Sequence, residues 1–302
     1  MGSTNHGSSR PTGSFIELPS GASFCREAGK GAPTIVLLHG LPVDSRIYSK
    51  LQPILAERHR TVAPDFLGWG ESRPNQALPF GFETLDRNLA QLIDSYNLDD
   101  VVLVAHDMSG PPAIRWAAAN PTRTHALVLL NTYYGWNSAR MPPMLKLLHL
   151  PYVGRLARRF IDVGRPGISW HIYRWQMGHL WAHRNPEIEP MLRAFHNVFE
   201  RSAQARAAFH SINDGLVSQI DSNQRRLDVL TELQCPALVV WGALDRYMRP
   251  SVARQFHRVL PRSELHLIPD ASHFVQIEAP DTVARVMESF LSGLETPSAP
   301  VS

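Results

Sequence analysis

The chain has 302 residues, 44% of them hydrophobic, a mean hydropathy of −0.18 and a formal net charge of +3. This length suits one large α/β domain or a core with an insertion, and apolar runs such as 35–38 and 101–105 are far too short to span a bilayer. The small charge gives no ground for a nucleic-acid partner. Two cysteines, Cys25 and Cys235, do not make a disulfide framework, so a reducing cytoplasm is the expected compartment.

Residues 1–13 are rich in Gly, Ser and Asn and lack the charged start and apolar stretch of a secretory signal. His6 stands where a myristoylation motif needs Ser or Thr. This tail and a polar one at 296–302 are expected to be disordered. Between them, β-type runs alternate with helical patterns, the signature of a doubly wound, mostly parallel sheet. Eight strands are predicted, at 14–18, 22–27, 34–39, 61–64, 101–105, 126–131, 237–242 and 264–269, the first two as an antiparallel edge. Helices are predicted at 46–56, 82–96, 111–119, 251–259 and 282–294. In 82–96, Leu85, Leu89, Leu92, Ile93 and Tyr96 recur at spacings of three and four, an amphipathic stripe. Pro111 and Pro112 fall near a helix start, where a missing N–H costs little. Both cysteines are assigned to predicted strands and read as core residues.

The alternation breaks between 134 and 227. This stretch holds six prolines, six histidines and four of the seven tryptophans, Trp136, Trp170, Trp175 and Trp181. Residues 134–226 carry thirteen Lys/Arg against six Asp/Glu, a local charge of +7. Such a segment can face an anionic ligand or partner; the blander reading is a solvated, Arg-rich helical face. A short helix is predicted at 191–199. An insertion after the sixth strand reads as a helical cap, 134–227, over a core of 14–133 and 228–295.

Three predicted strand ends carry the chemistry. The strand 101–105 stops in Ala105-His106-Asp107-Met108-Ser109, small–x–acid–x–small, with a helical pattern directly after it. This is the shape of a nucleophile elbow, in which a sharp strand-to-helix turn pushes one side chain out at the top of a sheet. The usual occupant is Ser; here it is Asp. A carboxylate is already ionised and needs no base, and it suits displacement at an sp3 carbon to give an alkyl ester. Further on, Trp241-Gly242-Ala243-Leu244-Asp245 puts an acid in the loop after a strand, and Asp270-Ala271-Ser272-His273-Phe274 puts a His after the last strand. The chain order is nucleophile, acid, base. The loop His39-Gly40-Leu41-Pro42 follows the third strand. Its Leu41 N–H, with the Met108 N–H, is in the expected place for an oxyanion hole.

With 63–72, Ala63-Pro64-Asp65-Phe66-Leu67-Gly68-Trp69-Gly70-Glu71-Ser72, and with Leu130-Asn131-Thr132 and His273-Phe274-Val275-Gln276, these pieces resemble the α/β-hydrolase superfamily. Within it they resemble the Asp-nucleophile branch of epoxide hydrolases and haloalkane dehalogenases. The match covers the core and leaves the cap unmatched. It implies an eight-stranded α/β-hydrolase fold with an inserted cap. It also implies catalysis by Asp107 as nucleophile, His273 as the base that activates water, and Asp245 as its orienting acid.

Two departures bear on the activity. Haloalkane dehalogenases generally place a halide-binding Trp directly after the nucleophile, and often an Asn after the His-Gly pair. Here those positions hold Met108 and Leu41. Epoxide hydrolases instead use Tyr hydroxyls as the acid, and Tyr133, Tyr134, Tyr152 and Tyr173 are candidates. Epoxide hydrolysis is therefore expected ahead of dehalogenation, with a non-catalytic small-molecule-binding relative as the alternative. Tyr133, Tyr134, Trp136, Tyr173 and Trp175 are the expected substrate contacts. Asp65 and Ser72 read as structural loop residues, and His39 and His106 as loop-shaping ones. Asn131 occupies a strand end where some dehalogenases carry their acid, a role that an amide cannot fill. His179 and His183 are four apart without a third ligand, so no metal is expected, nor any cofactor. The expected partners are a small apolar substrate and water; monomer and homodimer are both open.

Overall fold

The computed structural model describes residues 11–75, 80–135, 150, 152, 154, 156, 168–183 and 188–295. Its strands are β1 (Thr12–Leu18), β2 (Gly21–Ala28), β3 (Thr34–Leu38), β4 (Thr61–Pro64), β5 (Arg73–Pro74), β6 (Val101–Asp107), β7 (Thr124–Thr132), β8 (Ala237–Gly242) and β9 (Ser263–Ile268). They form one sheet in the order β1-β2-β4-β3-β6-β7-β8-β9, with β5 on the side of β2. The β1–β2, β2–β4 and β2–β5 pairs are antiparallel and all others parallel. The eight expected strands are present. The ninth, β5, is two residues long, too short to leave a pattern in the sequence.

The parallel strands are buried on both faces, so their residues divide between two cores. From β6, Val101, Leu103 and Ala105 enter one core, while Val102 and Val104 enter the other. From β3, Val36 and Leu38 separate in the same way from Ile35 and Leu37. Helices α2 (Phe82–Ser95) and α3 (Gly110–Ala119) cover the first face. The final helix, Pro280–Glu295, covers the second.

Several boundaries differ from the sequence expectation. The disordered tail was expected to reach residue 13, but β1 begins at Thr12, because Thr12 and Gly13 pair with Glu27 and Arg26. Strand β6 runs two residues past Ala105, since Asp107 still pairs with Thr132. The helix expected at 46–56 is two pieces, a 3-10 turn at Ser45–Tyr48 and α1 (Gln52–Leu55). Pro53, in the first turn of α1, has no N–H to continue a helix from the preceding turn. Cys235 is buried as expected but lies before β8 rather than in it.

Strands β3 and β6 are neighbours, yet the chain runs from β3 outward to β4 before returning to β6 on the other side. The carboxyl ends of β3 and β6 therefore flank the crevice where the winding reverses, the usual ligand position in an open α/β sheet.

Between β7 and β8 the described residues hold α4 (Ile168–Gly178), α5 (Ile188–Arg201) and α6 (Ala203–Gln224). The expected helix 191–199 is the middle of α5. The 22-residue α6 was not anticipated: its buried positions mix Ala205, Ala208, Phe209 and Ile212 with Asn213 and Asn223, which dilutes the stripe. Among the contacts that tie these helices to the rest are three hydrogen bonds. Tyr173 Oη donates to the Pro42 carbonyl at 3.2 Å. Arg46 Nη2 donates to the Ala194 carbonyl at 3.0 Å, and Arg115 Nη1 to Asn223 Oδ1 at 2.9 Å. Among the described residues no helix is long and apolar enough to cross a membrane.

Candidate active site

The elbow is built from backbone strain and small residues. Asp107 ends β6 with φ of +53°, the left-handed region, which Asp tolerates better than most residues. Ser109 pins the turn: its Oγ donates toward the Leu38 and His106 carbonyls and accepts the His106 N–H at 2.8 Å. Gly110 starts α3 against β7, and a Cβ there would meet Thr132 Oγ1. Gly40, after β3, comes so near that a Cβ would lie 2.5 Å from Asp107 Cβ. This close approach lets Leu41 N–H reach Asp107 Oδ2 at 2.8 Å. The Met108 N–H also bonds the Asp107 carboxylate. Both expected oxyanion donors thus converge on one carboxyl group, while Oδ1 faces His273 Nε2 at 4.0 Å.

His39 sets the Gly40–Leu41 loop. Its Nε2 accepts the Phe66 N–H at 3.0 Å, so the proton sits on Nδ1, which donates to the Gly40 carbonyl at 2.9 Å. Burial lowers its pKa, consistent with a neutral ring. Asp65 and Ser72 act alongside. Asp65 accepts the N–H groups of Ser45 and Glu71, and Ser72 Oγ donates to the Asp65 carbonyl.

His273 and Asp245 form the second half of the site. His273 Nδ1 lies 2.8 Å from Asp245 Oδ2. An ionised carboxylate only accepts, so Nδ1 carries the proton and Nε2 presents a lone pair toward Asp107. Asp245 is held by three further donors. Asn131 Nδ2 reaches Oδ2 at 2.7 Å, and the N–H groups of Tyr247 and Met248 reach Oδ1 at 2.8 and 3.0 Å.

The ionisation of the site is a balance. Burial pushes the Asp107 carboxyl up; the His273 charge and the Leu41 and Met108 N–H groups oppose this without cancelling it. Burial pulls the His273 imidazole down, but the Asp245 charge and hydrogen bond, then the Asp107 charge, outweigh it and leave His273 raised.

The aromatic residues expected around the substrate separate into groups. Tyr133 is buried with its hydroxyl unpartnered among the described residues; burial, then the Asp107 charge, drives its pKa well up. Asp107 and Arg115 are the charges that act on Tyr133, whereas Arg115, Arg226 and Asp228 act on Tyr134. Tyr173 is buried against the Pro42 carbonyl next to Leu41, stacked on Trp170. Trp175 is 53% exposed and lines a cavity of about 610 Å³ between α4 and α5, with His171, His179 and Trp181. Tyr152 is 76% exposed. Trp136 lies outside the described residues. No group of three or more His, Cys, Asp or Glu among the described residues is arranged to hold a metal.

Sequence reasoning read His106 as loop-shaping, which its bond bears out, and missed a second positioning group, Asn131. His106 Nε2 lies 2.9 Å from the His273 carbonyl; it must carry the proton, so His106 donates to the backbone of the loop that bears the base. Asn131, with φ of +36°, uses both ends of its amide: Nδ2 donates to Asp245 and Oδ1 accepts the Gly242 N–H at 3.1 Å. Its place at the end of a strand next to β8 was the available signal. Asn131→Ala should leave the Gly242 N–H unsatisfied and strip one donor from Asp245. The expected loss is about 1–3 kcal/mol of stability, read from the urea unfolding midpoint; an unchanged midpoint would contradict this role.

The comparisons fit this geometry. The chain is 25% identical to a 2-hydroxy-6-oxononadienedioate/2-hydroxy-6-oxononatrienedioate hydrolase of Dechloromonas aromatica, over 93% of this chain and 96% of that protein. It is 28% identical to haloalkane dehalogenase 2 of Mycobacterium tuberculosis, over 87% and 90% of the two chains. The crystal structure of a haloalkane dehalogenase from Bradyrhizobium elkani superposes with a TM-score of 0.79 at 20% identity, covering 94% of this chain and 99% of that one. A model of the alpha/beta hydrolase family matches residues 35–286, from β3 into the final helix, and the chain belongs to that family.

Proposed function

We propose that this hydrolase opens epoxides, attacking an sp3 carbon through Asp107 and passing through an alkyl-enzyme ester. The observation that carries the reading is Tyr133. Its buried hydroxyl lacks a partner among the described residues and feels the charge of Asp107. Epoxide opening creates an alkoxide that needs a proton, and a Tyr hydroxyl near the nucleophile can supply one.

In the first step Asp107 Oδ1, the oxygen not held by Leu41, forms a bond to carbon. The epoxide C–O bond breaks and its oxygen takes the Tyr133 proton. Esterification removes the Asp107 charge, one of the two causes that keep Tyr133 from ionising. In the second step a water gives its proton to His273 Nε2 and attacks the ester carbon Cγ. Charge then develops on Oδ2, where the Leu41 N–H already points, with the Met108 N–H acting on the same carboxyl group. Collapse releases the diol, whose new hydroxyl takes the proton from His273. The proton on the regenerated Asp107 acid returns through water to the Tyr133 phenolate. Asp245 supports the imidazolium throughout. The segment 134–227 is proposed as the cap over this reaction, with Tyr173 contacting the apolar substrate at the Leu41–Pro42 loop.

Dehalogenation is the second reading, favoured by the dehalogenase relative, 28% identical over 87% of this chain. Against it, Met108 and Leu41 offer no side-chain N–H to a leaving halide. Tyr133→Phe separates the two readings. Turnover of styrene oxide should fall by about 100-fold or more, the usual contribution of a general acid, while any bromobutane turnover should be unaffected. Equal loss on both substrates would count against Tyr133 as the acid.

His273→Gln should trap the ester, since alkylation needs only Asp107 whereas hydrolysis needs a base. Intact-protein mass should rise by one styrene oxide, with the label mapped to Asp107. Normal turnover without an adduct would rule out His273 as the base. No adduct and no turnover of epoxides or haloalkanes, with the wild type equally inactive, would favour a binding protein instead.

The pH dependence has a definite sign. His273 must be neutral to act, and in the free enzyme its pKa lies above the ordinary value of about 6.5, partly through Asp107. Esterification removes that negative charge. The rate of adduct hydrolysis should therefore rise with pH through a midpoint lower than the His273 midpoint measured by NMR in the free enzyme. A midpoint equal to or above the free-enzyme value would show that Asp107 does not support the imidazolium.

A further inference from the structure

The loop bearing His273 is held from outside the triad by one carboxylate. Glu278, at the end of the short helix Val275–Glu278, accepts the N–H groups of Ser272 and Phe274 on Oε1, at 3.1 and 3.2 Å. Its Oε2 accepts the N–H of Ala182 at 2.8 Å. Ala182 belongs to the turn after α4, ninety residues earlier in the chain. The same turn meets the loop twice more: His273 N–H donates to the Leu180 carbonyl at 3.1 Å, and the Trp181 ring lies 4.7 Å from the Phe274 ring. With His106 on the His273 carbonyl, three successive N–H groups, 272 to 274, and the central carbonyl all have fixed partners. Glu278 is the member of this network that touches both sides, the base loop and the turn 180–182.

A carboxylate suits the position. Three N–H donors converge on it, and none of its oxygens has to donate. An amide of the same shape would turn an NH2 group toward at least one of those donors. The direction of His273 Nε2 depends on the backbone at 272–274, and a misplacement of about 1 Å at a reacting group can cost about 100-fold in rate.

We propose that Glu278 is a positioning residue that locks the loop 272–274 to the turn 180–182, so that His273 is aimed at the Asp107 ester. This rests on the alkyl-ester reading, and it assigns Glu278 to the second chemical step alone. Alkylation by Asp107 does not need the base loop to be precisely set.

The test is Glu278→Gln in the full chain, with styrene oxide, rapid quenching and intact mass, beside wild type and His273→Gln. Adduct should form at close to the wild-type rate and be hydrolysed about 100-fold more slowly, so that it accumulates. Unchanged hydrolysis, or equal slowing of both steps, would overturn the proposal. A second readout is independent of the substrate: the NMR signal of the His273 Nδ1 proton, which reports the bond to Asp245. It should broaden or be lost in Glu278→Gln; a sharp, unshifted signal would overturn the positioning role. Absence of any adduct in His273→Gln would sink the alkyl-ester reading instead, and the NMR signal would still decide for Glu278. If Glu278→Gln fails to fold, Ala182→Pro removes the N–H from the opposite side, leaving Glu278 in place, and should show the same selective slowing of hydrolysis; hydrolysis at the wild-type rate in folded Ala182→Pro would overturn the proposal.

Discussion

A carboxylate held in a left-handed turn at the crevice between β3 and β6 is the constraint on which the rest of this structure depends. A non-glycine residue at φ of +53° costs of order 1–3 kcal/mol, which the surroundings must outweigh. They do so by close packing. Gly40 and Gly110 leave no space for a Cβ, Ser109 bonds across the turn, and the β6–β7 register shifts between His106 and Asp107. The strain gives a carboxyl group that projects from the sheet with two N–H groups on it and a lone pair of His273 facing its other oxygen.

From that arrangement the chemistry narrows by elimination. A carboxylate attacking an ester carbonyl would make an anhydride, an uphill intermediate, whereas attack at an sp3 carbon makes an ordinary ester. An ester is stable until a base delivers water, which is why a His, an acid to orient it and an oxyanion hole are all still required. Two carboxylates flank His273, Asp245 at 2.8 Å and Asp107 at 4.0 Å, and in the proposed reaction only the second loses its charge. The leaving group is left to residues around the triad. There the proposed epoxide chemistry rests on the contrast between an apolar Met108 and a buried Tyr133 hydroxyl.

Much of the order in the site comes from groups around Asp107, Asp245 and His273. Asn131, His106, His39 and Glu278 each bond a carboxylate or a backbone group at or next to Asp107, Asp245 or His273. Low surrounding dielectric strengthens such networks and makes each unsatisfied member costly, so they hold side chains more firmly than packing alone.

The sequence by itself determined the sheet and the order of Asp107, Asp245 and His273 along its strand ends. Buried parallel strands are short apolar runs that end at turn residues, and the motifs at those ends are contiguous. The grouping of Asp107, His273 and Asp245 could be read because each ends a strand of one sheet. Only the tertiary structure decided which aromatic residues stand near Asp107. Tyr133 and Tyr134 are adjacent in the chain and both feel Arg115, yet the Asp107 charge acts on Tyr133, and Arg226 and Asp228 act on Tyr134. Successive side chains leave an extended backbone in opposite directions, and which direction faces the site depends on how the chain leaves β7. The link from Ala182 through Glu278 to His273 was likewise invisible, because it joins backbone groups ninety residues apart, and every residue has the same N–H.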